Sequence, residues 1–243
     1  MKPYRMITLL LCAMCLLGSK GYAAPIQAAD YFIESKEVAM ATAAESNNAS
    51  KIRELKAAGV DVNARGRGNL TPLYLAATSH SMKAYVCLLE LGSDPNVQFQ
   101  ETGASALAIA AAMSDSSFLS QALAHGGKPN QVNPTTGLTP IWRSMDEMLP
   151  DNVKILVAAG ADVNFANSNG VTPLMFSAGA NRYDIDLILL DAGADPRRRN
   201  IWGNSLLWYI HHNRADPQSK FYVWKEEVVE RLRKLGIDNK NGN

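Results

Sequence analysis

"LVAAGADVNFANSNGVTPLMFSA", residues 156 to 178, decides how this chain is read. An apolar run halts at Gly160, a stretch rich in Asn, Ser and Gly follows, and the chain reopens at Thr172-Pro173-Leu174. A glycine ends a helix because it accepts the left-handed backbone conformation. Threonine before proline starts one: the hydroxyl caps the first turn, and the first helical position needs no N–H. The stretch therefore predicts the end of one helix, a projecting turn and the start of another.

The same template occurs four more times: "LKAAGVDVNARGRGNLTPLYLAA" from Leu55, "LLELGSDPNVQFQETGASALAIAA" from Leu88, "ALAHGGKPNQVNPTTGLTPIWRSM" from Ala122 and "LLDAGADPRRRNIWGNSLLWYI" from Leu189. Its first glycine falls at Gly59, Gly92, Gly126, Gly160 and Gly193, at spacings of 33, 34, 34 and 33 residues. A sixth copy, "LRKLGID", places Gly236 43 residues further on, so about ten residues are inserted after Ile210. The turns are expected at Asn69, Gly103, Gly137, Gly170 and Gly203, and the hydroxyl caps at Thr71, Ser105, Thr139, Thr172 and Ser205. Asparagine is the non-glycine residue that best tolerates the turn conformation.

This period, with "GAD-V/P-N" and "TPL" recurring in order, resembles the ankyrin repeat. The resemblance runs from about Ala49 to Asp238. It implies an all-α repeat solenoid, a stack of about six helix pairs with β-hairpin-like fingers. The family usually carries a histidine after "TPL" that ties neighbouring repeats. Here the position holds Tyr74, Ala108, Trp142, Met175 and Trp208, so apolar packing is expected to replace the tie. A solenoid also needs half-polar ends. A capping pair is expected within residues 24–58, as a helix from Asp30 to Glu45 and its partner from Ser50 to Ala58. The repeats follow over 59–212. Residues 213–243 hold the insertion, with Pro217 blocking helix continuation, and a closing helix from Phe221 to Leu235. Its expected apolar stripe is Phe221, Val228, Leu232 and Leu235, with Lys225, Glu226, Glu230 and Arg233 in water.

The first 23 residues differ from the rest. Lys2 and Arg5 precede the apolar run Met6 to Leu17, and Gly21-Tyr22-Ala23 offers small residues where a signal peptidase inspects the chain. This pattern predicts a secretory signal peptide cut after Ala23. An uncleaved anchor is the alternative, although twelve apolar residues fall short of the ~20 a spanning helix needs. Cys15 raises a third reading, a lipoprotein, against which Met14 makes a poor lipobox. The leader looks bacterial, which makes the periplasm the expected destination, with secretion as the alternative. Cleavage would leave 21 basic and 23 acidic residues, a net charge of −2, in place of the full chain's +1. Neither balance suggests a nucleic-acid binder. Cys87 would be the one cysteine left, so packing rather than a disulfide must hold the fold.

No catalytic motif is visible: no serine elbow, phosphate loop, dinucleotide glycine set or zincin pattern. Neighbouring residues on a helix do not share a face, so His211 and His212 make a weak metal pair. Cys87, among Val86, Leu88 and Leu89, reads as a buried inert thiol. No enzyme activity, cofactor or metal is expected.

A binding surface is expected instead, because the family binds other proteins through its finger tips and the first helix of each pair. On the fifth finger, Arg197 stands where the other copies carry Asn63, Asn96, Asn130 and Asn164. Arg198 takes a position that is ordinarily small, Arg199 aligns with Arg65, and Trp202 sits beside the turn glycine. Arginine and tryptophan are enriched at binding hot spots. The candidate contact set is therefore Arg197, Arg198, Arg199 and Trp202, with Trp142 and Arg143 two repeats earlier, facing a protein partner with an acidic patch. The competing reading of the triple arginine is a solvated basic tip. The resemblance extends to small exported bacterial proteins that neutralise toxic effectors, lipid-degrading ones included. An immunity protein is thus one expectation, beside a helper in oxidative-stress defence and a secreted virulence factor that binds host proteins.

Overall fold

A computed structural model describes residues 26–213, 216–219 and 221–237; the expected leader lies outside them. Among these residues the regular elements are all helices. After a one-turn helix α1 (Ala28–Tyr31) come α2 (Ser35–Glu45) and α3 (Ala49–Ala57). The next pairs are α4 (Pro72–Thr78) with α5 (Met82–Glu90), and α6 (Ala106–Ala111) with α7 (Ser116–Ala124). They are followed by α8 (Pro140–Asp146) with α9 (Pro150–Ala158), and α10 (Pro173–Gly179) with α11 (Tyr183–Asp191). A sixth pair closes the stack, α12 (Leu206–His212) with α13 (Phe221–Lys234). Each inner helix, the first of its pair, packs on the inner helix of the next repeat, and each outer helix on the next outer helix.

The template glycines do what their chemistry dictates. Gly59, Gly92, Gly126, Gly160 and Gly193 have φ between +85° and +91°. A Cβ at any of them would meet nothing within 4 Å, so the backbone angle and not space requires glycine. The next residue then donates back into the helix, as Val60 N to Leu55 O at 3.0 Å and Ala194 N to Leu189 O at 2.9 Å, which satisfies carbonyls the helix end leaves open. Asn69 and the four later turn glycines also have positive φ. The fingers themselves hold only isolated bridges, Gln98 with Ser105 and Arg199 with Ser205.

Four of the five expected caps form: Thr71, Ser105, Thr172 and Ser205 accept from the backbone N–H three residues on. Thr139 does not, and its buried hydroxyl has no partner. Burial of Met40, Leu73, Leu88, Leu107, Leu156, Leu174, Leu189 and Val228 joins the stack into one apolar cluster from end to end. Asparagines fasten the outside. Asn63 Nδ2 donates to Gly92 O at 2.9 Å while its Oδ1 accepts from Asp94 N at 2.9 Å. Asn96, Asn130 and Asn164 repeat the clamp on Gly126, Gly160 and Gly193. Each asparagine ties one finger to the helix end of the next repeat.

Three expectations need correction. The helix expected from Asp30 to Glu45 is two pieces, because Phe32 is extended (φ −104°, ψ 141°) and buried while Ile33 is exposed. On α13, Val228 and Leu232 are fully buried, but Leu235, just past the helix end, is 47% exposed. The missing histidine tie is not wholly replaced by apolar packing: Trp142 Nε1 donates to Phe165 O at 3.1 Å, and the Tyr74 and Thr102 hydroxyls lie 3.3 Å apart. Indole and phenol retain a polar tip, and both use it across a repeat boundary.

Candidate protein-binding surface

Residues four after each cap fall at one phase of the inner helices and so line up along the stack: Leu75, Ile109, Arg143, Phe176 and Tyr209. Leu75 is buried under the N-terminal segment, and Ile109 packs against the same cluster. From Ile109 onward the row is only half-buried. Arg143 faces Asp146 at 3.8 Å, Phe176 meets the Trp142 ring edge-on at 5.5 Å, and Tyr209 Oη accepts from Asn200 Nδ2 at 3.0 Å. Gln98, Ala104, Ala108, Asn133, Leu138 and Arg143 line a shallow cleft between the second and third fingers. An aromatic floor with a polar rim can hold a protein segment.

The expected contact residues separate. Trp142 is only 2% exposed; its ring and its N–H serve the stack, which takes it off the accessible surface. The three arginines are all exposed, and each reaches a backbone carbonyl. Arg197 Nη2 donates to Leu235 O at 2.9 Å. It thus supplies the donor half of the asparagine clamp, to the residue before the last template glycine; a guanidinium has no acceptor for the other half. Arg198 donates to Asn164 O, and Arg199 Nη1 to Gly203 O at 2.7 Å. The triple arginine therefore ties the fifth finger to both neighbours and to itself. Trp202 (58% exposed) and Ile201 (64%) stand beside it, an apolar pair at a cationic tip. Sequence reasoning missed Ile201, Phe176 and Tyr209, none of which belongs to the repeat's spelled motif.

His211 and His212 are exposed; His212 stacks on Trp208 at 4.1 Å and its Nδ1 lies 2.8 Å from Trp208 O. The described residues hold no cluster of three or more His, Cys, Asp or Glu placed for a metal. Cys87 is buried with Sγ 3.6 Å from Ala49 O, and burial pushes its thiol above the ordinary value.

A family model described as ankyrin repeats, in three copies, matches residues 107–200. The chain is an ankyrin-repeat protein. It is 36% identical over 118 residues to protein PhlB of Serratia liquefaciens, covering 49% of this chain and 52% of PhlB. It is 30% identical over 185 residues to the human mitochondrial disaggregase, covering 72% of this chain and 24% of that protein. The ankyrin-repeat chain thus spans about half or less of these two relatives. Among solved structures, the ankyrin repeat protein EF0377 superposes with a TM-score of 0.68 at 22% identity, covering 82% of this chain and 99% of that one. An ankyrin repeat domain from Acinetobacter baumannii AYE gives 0.68 at 24%, covering 80% and 97%. These two share the fold. Ankyrin repeats mediate protein–protein interaction, and no described helix is long and apolar enough to cross a membrane.

Proposed function

We propose that this ankyrin-repeat protein is a non-enzymatic binding module acting in the bacterial periplasm, as an immunity protein that neutralises a toxic effector such as a phospholipase. The observation that carries the binding reading is the exposed pair Ile201 and Trp202 at the arginine-rich fifth finger, continuous in the stack with the half-buried row Arg143, Phe176 and Tyr209. Large apolar side chains on a finger that also carries three exposed arginines suit a partner patch with an apolar centre and an acidic rim. The leader-like N-terminus supports export, and the relative from Serratia liquefaciens supports a bacterial setting.

The test pairs the purified chain with the effector encoded beside its gene. Trp202→Ala is expected to weaken binding about thirtyfold or more, as for a true hot spot, with an unchanged melting curve. Co-expression of the exported chain is expected to protect cells from that effector in the periplasm. Equal affinity of Trp202→Ala and wild type removes the fifth finger from the interface. An effector that neither binds nor is neutralised overturns the immunity reading.

A further inference from the structure

The N-terminal segment covers the groove formed by the first two fingers and the start of the inner-helix row. Helix α1 is one turn long, without a side-chain cap, and a turn that short does not persist alone in water. Its conformation is supplied by what it rests on. Ala28, Tyr31 and Phe32, at i, i+3 and i+4, share one face. Ala28 and Phe32 are buried with Ala64, Leu70, Tyr74, Leu75 and Phe99, in a second apolar cluster distinct from the stack's own. The Tyr31 ring meets Phe99 edge-on at 5.7 Å, lies 5.0 Å below the Arg67 guanidinium, and its hydroxyl donates to Glu101 Oε1 at 3.3 Å. The segment therefore spans the first two fingers and the start of the inner-helix row.

Those two fingers are altered to receive it. On fingers three, four and five the residue whose N–H closes the turn is asparagine, Asn133, Asn167 or Asn200. Its side chain caps its own turn, as Asn200 Oδ1 does with Trp202 N and Asn204 N, both at 3.0 Å. On fingers one and two the same position is Gly66 and Phe99. A Cβ at Gly66 would stand 2.8 Å from Tyr31 O and 3.1 Å from Phe32 Cε2, so only glycine admits the segment. Phe99 gives up the cap to supply the aromatic wall.

We propose that the first two fingers form a binding site for a short helical turn carrying a small residue followed, three and four positions on, by two aromatics, and that Ile26–Glu34 occupies it in cis. The site rests on the groove being a binding surface and needs no assumption about the partner or the compartment. A partner segment of the same pattern gains the N-terminal part of the groove by displacing this one.

The test uses the full chain and a labelled peptide of residues 26–34, IQAADYFIE. The double variant Tyr31→Ser with Phe32→Ser opens the site while leaving the stack intact. Fluorescence anisotropy is expected to show saturable binding of the peptide to the opened variant, and binding at least about tenfold weaker to wild type, whose site is filled. A peptide with Ala in place of Phe32 is expected to bind about tenfold weaker or less well still, since burial of that ring drives the contact. Adding Phe99→Asn to the opened variant, which restores the residue type of the later fingers, is expected to abolish binding, with circular dichroism confirming the fold. Absence of peptide binding to the folded, opened variant overturns the proposal, as does equal binding to opened and wild-type chains. No effector enters this assay, so its failure and that of the immunity reading are separable.

Discussion

Asp186→Val tests how the stack tolerates a carboxyl in its core. Asp186 lies in the middle of α11, where the earlier repeats place Leu119 and Val153, and it is fully buried. Ser177 Oγ donates to Oδ1, but Oδ2 has no partner. Burial pushes the carboxyl well above its ordinary 3.8, the Ser177 hydrogen bond opposes this, and the neighbouring charge of Asp184 adds to it. The folded chain therefore keeps this proton at pH values where the unfolded chain has released it. Stability falls as pH rises from about the ordinary value to the raised one, at up to about 1.4 kcal/mol per pH unit for one proton. Valine fills nearly the same space and has no proton to hold, so it removes this pH-linked cost. Ser177 keeps the Pro173 carbonyl at 3.0 Å as an acceptor. Urea unfolding of both chains from pH 4 to pH 8 is expected to show a small gap at the acid end that widens with pH in favour of the variant. Other carboxylates, including Asp184 in its pair with Arg182 at 2.6 Å, titrate in both chains and largely cancel. A gap that stays constant across this range, or one favouring wild type at neutral pH, refutes the reasoning.

Thr139→Val is expected to be neutral or stabilising, whereas Thr172→Val should cost about 1 kcal/mol through its lost cap, both read from thermal melts. Arg197→Ala should destabilise by about 1 kcal/mol or less, through the exposed hydrogen bond to Leu235 O, with hydrogen exchange speeding first in α13. The Cys87 thiol should react with a disulfide reagent only on unfolding, because burial both hides it and holds it protonated; fast labelling of the native chain would contradict this.

The repeat was legible because its signals are local. Gly59 to Gly193, four of the five hydroxyls before the repeat inner helices and the proline after three of the five each satisfy a backbone requirement within a few residues of themselves. Any chain with that spacing must turn and restart where this one does, so helix order, finger positions and buried leucines could be read off directly. The candidate surface was legible only in part. Trp202 is exposed, as its place beside a turn glycine suggests, but Trp142, on an inner helix and expected in the contact set, is buried. Arg197 looked like a departure from the pattern; it keeps the donor half of the asparagine clamp, visible only once Leu235 is placed beside it. Glycine at 66 and phenylalanine at 99 looked like ordinary variation until Tyr31 and Phe32 were seen resting on them. The sequence by itself determined the repeat, since short-range backbone chemistry specifies each unit. Only the tertiary structure decided which side chains face water and what lies in the groove, because those depend on contacts between residues dozens of positions apart.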